Sequence, residues 1–558
     1  MAPSIVHLPN GQNLTVSPIF GGLTFKANDL HNHQSVFPPG WTITINSEDD
    51  ESDHLSYAAS PDPSTSTQAP LKHHHVHRFK RPSLRNDHLY ISSISNPNSN
   101  EFKPASSPTR QIAMMLWATL WWYFHQQEPD LHVTTPASAN TPHQGRPKAE
   151  WRVNINREGI FKGKNLLSKL ERMGLIASED SSVGTCQDER VGEGWTNMFV
   201  SRRTFWQLDA RIYLFTLSPM PNSPFPSASP VPSRPGSPNR SGAANTRVDA
   251  VVETAGATLP HQALTHGLWN ANSPPGPFQS GSHLPTYYPP SPAQYVFTNN
   301  IRHPIRHKPP RQGETFYTRW IPSVGQYLSF RTASLSCNPV AHRGPVSSPT
   351  VMPALSQDIR LEIENSLSDS AAATTTGLND NHGGADGHGS TDLEYLHKWM
   401  NDPRVNASWG EAGDVSHIES FLCTCLSSRH SFPAIGCWDG KPFGFFELYW
   451  VKEDRLGAHL LGSGNGIGDW DRGLHVLVGE QEYRGGHRVR VWLSALVHWC
   501  WLSDTRTERV VMEPRVDNLK LKDYCEEVGF YKEREIAFPH KQSNLMKIKR
   551  DAWEAPEL

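Results

Sequence analysis

The order of apolar and polar positions divides the chain before any composition is counted. Residues 1–45 alternate the two classes, as in Leu23-Thr24-Phe25 and Trp41-Thr42-Ile43, which predicts short strands with one buried face. Arg110 to about Gln127 is continuously apolar and aromatic at helical length, Leu166–Met173 is a second helix candidate, and Thr204–Leu217 closes a first globular region. A polar insert of Ser, Asp, Pro and Thr is expected at about 47–75. Sixteen prolines between Pro219 and Pro292 mark residues 218–295 as a disordered linker, because such a composition buries too little apolar surface to offset backbone ordering. Residues 296–390 read as a connecting segment, ordered over Thr315–Leu335 and polar and disordered over 365–390.

From 391 to 550 the pattern becomes a regular α/β succession. Helices are predicted over Asp392–Met400 and from an Asp414 cap to about Ser427, and strands over Phe432–Trp438 and Phe443–Val451 about an Asp439-Gly440 turn. A Gly-rich loop is predicted over Gly457–Gly468. A strand (Gly473–Val478), a helix (His487 to about Leu502), a strand (Arg509–Met512), a helix (Leu519–Val528) and two final strands complete the region. The first 217 residues are expected to form a separate mixed α/β domain.

Composition narrows the function classes. With 558 residues, 46 prolines, 37% hydrophobic residues and a mean hydropathy of -0.54, the chain reads as globular domains diluted by disordered inserts. Fifty-two basic against 55 acidic residues exclude nucleic-acid binding through global positive charge. Seven cysteines without a C-x-x-C pair argue against a disulfide framework and a zinc ribbon. No signal peptide and no apolar run of about 18 residues is evident, so a soluble intracellular protein without membrane partners is expected. The terminal Ala-Pro-Glu-Leu shares only its leucine with a peroxisomal signal, which leaves cytoplasm and peroxisome both open.

The strongest chemical signal is the strand Leu474–Val478 running into Tyr483-Arg484-Gly485-Gly486-His487-Arg488 at a helix start. A glycine turn that opens a helix presents successive backbone N–H groups, aided by the helix dipole, to a phosphate. One strand later, Asn518 opens a helix that closes on Gly529-Phe530. This arrangement resembles the acyl-CoA-dependent N-acetyltransferase (GNAT) superfamily. The fold implied for 391–550 is a splayed mixed sheet flanked by helices. Four blocks narrow the resemblance: His397–Val405, Phe445–Trp450, Asp471–Gly479 and Phe538–Lys541. Together they resemble the siderophore-biosynthesis branch, which includes hydroxylysine acetyltransferases, lysine acyltransferases and fungal N5-hydroxyornithine acyltransferases.

The resemblance implies acyl-CoA as co-substrate, with Val476, Val478, Arg484, Gly485, Gly486, His487, Arg488 and Asn518 toward it. It implies N5-hydroxy-L-ornithine as acceptor and an acetyl or a branched anhydromevalonyl-type donor; the cysteine spacing and the exposed reading of the histidine run below add the expectation of no metal. His475 and Asp517 are the catalytic candidates. His475 otherwise reads as a core strand histidine and Asp517 as a helix cap. Trp399, Asn401, Arg404, Glu447 and Tyr449 are candidates for the acceptor side, against helix-to-loop packing or a solvated strand face. His487 stands where the family pattern has Gly or Ala, and Cys525 where many members carry a tyrosine that protonates the thiolate. These two departures are the support for the alternative of a scaffold that has lost catalysis. The run His73, His74, His75 and His77 reads as exposed loop, and a degenerate acyltransferase-like repeat is a further reading of the N-terminal region.

Overall fold

The computed structural model describes residues 2–28, 37–48, 75–95, 108–163, 165–178, 198–214, 293–342, 344–347, 389–460 and 467–558. The inserts expected at 47–75, 218–295 and 365–390 lie almost wholly outside these residues.

The first sheet contains β1 (Ser4–His7), β2 (Asn13–Ile19), β3 (Gly22–Ala27), β4 (Gly40–Glu48), β5 (Val76–Arg78), β6 (Asp87–Ile94), β7 (Arg152–Ile155), β8 (Ala177–Ser178) and β9 (Met198–Ser201). Its order is β1-β2-β3-β4-β6-β7-β9-β8, with β5 beside β4. Helix α1 (Pro108–Phe124) joins β6 to β7, α2 (Leu166–Arg172) follows β7, and α3 (Arg202–Trp206) and α4 (Ala210–Leu214) close the region. Of the histidine run, His77 lies on β5 with Nδ1 2.7 Å from the Ser47 carbonyl.

A small hairpin, β10 (Tyr295–Thr298) and β11 (Ile301–Pro304), precedes the second sheet. That sheet comprises β12 (Thr315–Ile321), β13 (Gln326–Thr332), β14 (Ser431–Trp438), β15 (Lys441–Trp450), β16 (Arg472–Val478), β17 (Arg509–Met512), β18 (Tyr531–Ala537) and β19 (Gln542–Lys549), ordered β12-β13-β14-β15-β16-β17-β19-β18. The boundary expected at 391 is therefore corrected. Residues 315–332 are not a connector; they supply the first two strands of the C-terminal sheet, and β13 pairs with β14 across 98 residues from Thr332 to Ser431 only because the sheet closes that distance in space.

Helices α5 (Asp392–Met400), α6 (Pro403–Trp409) and α7 (Val415–Ser427) intervene between β13 and β14. Asp402 caps α6 by accepting from the Arg404 N–H, a helix the sequence pattern did not predict, and Asp414 caps α7 through the His417 N–H. Helix α8 (Arg455–Leu460) replaces the start of the Gly-rich loop expected at 457–468, whose residues 461–466 lie outside those described. Helix α9 (Gly486–Ser503) joins β16 to β17, and α10 (Leu519–Val528) joins β17 to β18. Helix α9 is apolar nearly all round, with Trp492, Leu493, Leu496, Val497 and Trp501 at 2% exposure or less, so it lies inside the core. At the Asp439-Gly440 turn both residues have positive φ, 46° and 84°, as a tight hairpin requires.

The two sheets share one topology. Each runs five strands in antiparallel order, crosses through a long helix to a parallel neighbour, and ends with the last strand inserted before the penultimate one. The first lacks helices between its second and third strands, where α5–α7 stand in the second. Aligning the parallel pairs, His88↔Asn154 with Arg472↔Val510, puts Ile91 at the place of His475; its cross-strand partner Ile43 falls at the place of Glu447. Both isoleucines are fully buried. The halves meet at His498 on α9, whose Nε2 is 2.6 Å from the Trp206 carbonyl and whose Nδ1 is 2.9 Å from the Tyr317 hydroxyl.

Candidate active site

The parallel pairing of β16 with β17 stops after Arg472↔Val510 and Gly473↔Val511, although β16 continues to Val478. Beyond that point, among the described residues, no ladder partner flanks this side of β16, which leaves a gap beside Val476 and Val478. The Gly479 N–H donates to the Phe443 carbonyl at 2.9 Å, which fixes the alternation along β16. Residues 473, 475 and 477 direct their main-chain groups to β15, so those of Val476 and Val478 face the gap. A pantetheine arm laid there would pair with the strand as another strand does.

The gap ends at the start of α9. Gly485 adopts φ +123°, a conformation that side-chain-bearing residues rarely take, and caps the helix by accepting from Arg488 and Val489. A Cβ on Gly486 would lie 3.3 Å from the Tyr524 ring. Arg484 is largely exposed, and the part of it that is covered, together with the nearby Arg404 guanidinium, lowers its pKa. Arg404 itself donates to the Val478 carbonyl at 3.2 Å and to that of Gly479 at 3.4 Å, so two guanidinium groups stand at this end of the cleft. His487 folds back toward Gly485. Arg488 points away from the loop: it stacks over Trp438 and Tyr483 and donates to Gln326, which corrects its placement toward the cofactor. Asn518 accepts from the Leu521 N–H and thereby caps α10.

At the inner end of the gap, His475 lies between two carboxylates. Its Nδ1 is 2.9 Å from Glu447 Oε2 and its Nε2 is 2.6 Å from Glu513 Oε1. The other Glu513 oxygen accepts from the Tyr449 hydroxyl at 3.0 Å, and Lys541 Nζ stands 3.9 Å from Oε1. The side chains of His475 and Glu447 remain 30% and 22% exposed, whereas Glu513 is 4% exposed, so the open face of the cluster is His475 with Glu447. Burial opposes the imidazolium, but the Glu513 charge and the hydrogen bonds to both glutamates push its pKa up to about 10. Burial likewise opposes both carboxylates, and the His475 charge nevertheless holds each below the usual range. Gly473 makes the arrangement possible, since a Cβ there would fall 2.1 Å from the Tyr449 ring.

Several candidates occupy other positions. Asp517 is exposed and ion-paired with Arg515, which also donates to the Ala407 carbonyl. The carboxylate that meets His475 is Glu513, directly after β17, because the parallel strand delivers its C-terminal end beside β16 before the chain turns away. Trp399 is 1% exposed, packs against Gly479 and donates to Glu480 at 2.9 Å, so it belongs to the core and not to the acceptor side. Asn401 bridges the His397 and Gly413 carbonyls and holds the 410–413 turn. Tyr449 is fully buried beneath the cluster. Trp409, at the end of α6, has its ring 6.4 Å from that of His475 and flanks the opening. Cys525 is buried with its thiol pushed up to about 12 by burial, while Tyr524 faces Gly486.

Comparison with known proteins places this geometry. The acetyltransferase (GNAT) domain family matches residues 388–538. Over 97% of its length the chain is 45% identical to the N5-hydroxyornithine acetylase sidL of Beauveria bassiana, all of which is covered. The chain belongs to the N5-hydroxyornithine acetylase family. Shorter matches of about 160 residues fall on 29% of the chain: 42% identity to the N(6)-hydroxylysine O-acetyltransferase of Escherichia coli, with 49% of that protein covered, and 40% to the N(5)-hydroxyornithine:cis-anhydromevalonyl coenzyme A-N(5)-transacylase SIDF of Beauveria bassiana, with 35% covered. The family is thus an acyltransferase family built on the GNAT fold. Among the described residues no helix is long and apolar enough to cross a membrane.

Proposed function

We propose that this protein transfers an acetyl group from acetyl-CoA to the N5 nitrogen of N5-hydroxy-L-ornithine, making a hydroxamate unit of a siderophore. The observation that carries this reading is the full-length relationship to a hydroxyornithine acetylase, joined to a histidine–carboxylate cluster at the splay of the sheet. That relationship favours acetyl over the branched donor, since the likeness to the anhydromevalonyl transacylase covers only 29% of the chain.

In this reading the pantetheine arm runs along Val476 and Val478, with the pyrophosphate on the N–H groups of Gly486 and His487 beside Arg484 and Arg404. The hydroxylamine nitrogen attacks the thioester carbonyl, the C–N bond forms, and the C–S bond breaks. A hydroxylamine is largely unprotonated near neutrality, so little base strength is needed. His475 serves as a cation that fixes the two glutamates, and Glu447, the exposed carboxylate, orients the acceptor and takes the proton released from nitrogen. The CoA thiolate departs and takes its proton from solvent, because Tyr524 lies at the pyrophosphate end against Gly486. Assaying the purified chain with N5-hydroxyornithine against acetyl-CoA and branched acyl-CoAs tests the reading. Faster turnover of a branched donor would overturn the acetyl assignment, and no turnover with any donor would favour a scaffold.

A further inference from the structure

Between α1 and β7 the chain makes an excursion that the acyl-transfer site does not use. Its stem is a short antiparallel contact: His132 bridges to Lys148, the Val133 N–H donates to the Pro147 carbonyl at 2.9 Å, and the Ala149 N–H to that of Leu131 at 2.8 Å. Thr135 and Ser138 cap each other reciprocally, and Arg146 ties the Thr141 carbonyl to the Thr134 hydroxyl. This frame brings Asp130 and His132, two residues apart and so on one side of an extended segment, against His143 from the far side of the loop.

Three side chains converge there. Asp130 Oδ1 is 3.2 Å from His132 Nδ1, Asp130 Oδ2 is 2.6 Å from His143 Nε2, and all the ligand atoms lie within 4.8 Å of one another. Among the described residues this is the one group of three His, Cys, Asp or Glu side chains so arranged. Two ligand atoms each about 2.0–2.1 Å from a tetrahedral zinc ion stand about 3.3 Å apart. The 3.2 Å contact already has that spacing, and the 2.6 Å contact needs to open by several tenths of an ångström. Asp130 and His143 are more than half exposed, which leaves the remaining coordination position to water. Two imidazoles and a carboxylate are the donor set that suits zinc and its first-row neighbours.

We propose that Asp130, His132 and His143 bind a divalent cation of the zinc class, which pins the 130–149 loop to its stem. This departs from the expectation of no metal, which rested on cysteine spacing and on the separate histidine run.

The test uses the full chain without an affinity tag, stripped with a chelator. It carries His73→Asn, His74→Asn, His75→Asn and His77→Asn, so that the histidine run does not compete. Co²⁺ is titrated as an optical probe and then displaced with Zn²⁺. One equivalent should bind with visible ligand-field bands, and Zn²⁺ should slow proteolysis within 130–149. His143→Ala and the near-isosteric Asp130→Asn, each checked for an unchanged melting profile without metal, should weaken binding roughly tenfold or more. No saturable binding, or equal affinity in both variants, would overturn the site. Binding without protection of the loop would overturn the pinning role.

Discussion

Glu447 and His475 face each other directly across β15 and β16, with a side-chain separation of 2.9 Å. A cross-strand pair is the shortest route by which a sheet can fix an acid beside an imidazole, since neither side chain depends on a loop for its position. In the first sheet the same pair of positions holds Ile43 and Ile91. The repeat thus retains the packing and omits the charge.

If the cluster serves the acceptor, Glu447→Gln and His475→Gln should each lower turnover about 10²–10⁴-fold while the KM for acetyl-CoA moves only a few fold. A core histidine would give the opposite result, a melting temperature that falls with full activity in the folded fraction. Turnover and melting measured on the same preparations decide between them.

Glu513→Gln and Asp517→Asn should part company. Glu513 is buried and holds His475 and Tyr449, so its loss should cost about 1–3 kcal/mol of stability as well as turnover. Asp517 meets Arg515 at the surface, and its replacement should leave turnover within a few fold. An inactive Asp517→Asn enzyme with wild-type stability would restore that residue to the acceptor site.

The charge on His475 sets a pH dependence. Its pKa is raised when folded, so the cluster's contribution is complete below the ordinary histidine value of about 6.5 and is lost as pH climbs through about 10. The glutamates, lowered when folded, contribute above their unfolded values and lose that contribution as pH falls through the folded ones. The melting-temperature gap between wild type and His475→Gln should therefore narrow from pH 7 toward about pH 10. A gap that stays flat over that interval would mean the histidine is neutral in the folded protein.

Gly486→Asp places a like charge and a side chain where the pyrophosphate approaches, 3.3 Å from Tyr524, and should raise the KM for acetyl-CoA at least roughly tenfold. Isothermal titration with CoA checks it directly, and unchanged affinity would put the phosphates elsewhere.

Tyr524→Phe, at the pyrophosphate end beside Gly486, should act on the KM for acetyl-CoA and leave turnover at saturation within a few fold, whereas Cys525→Ala should leave the chemistry intact and act, if at all, on stability, because its thiol lies against Met512 in the core. A large fall in saturated turnover for Tyr524→Phe with unchanged KM would instead put the phenol at the thiolate.

Local chemistry was legible along the chain. The Asp414 cap, the Asp439-Gly440 turn and the glycine pair at the start of α9 all follow from residue type and short-range periodicity, and the structure has each of them. What tertiary structure alone decided is which distant residues meet. Glu513 reaches His475 from 38 positions away through the parallel register of β16 with β17, and no spacing rule carries that register. Asp517, closer to the α10 cap and so the more conspicuous acid, is turned to the surface by the same geometry. Residues 315–332 look like an isolated apolar run until β14 pairs with them, and Arg488 and Trp399 look like site residues until the rings and glycines they pack against are in place. Periodicity is a property of neighbours in sequence and survives in the sequence; pairing across a sheet is set by the collective packing of the whole core, and appears only when that core is assembled.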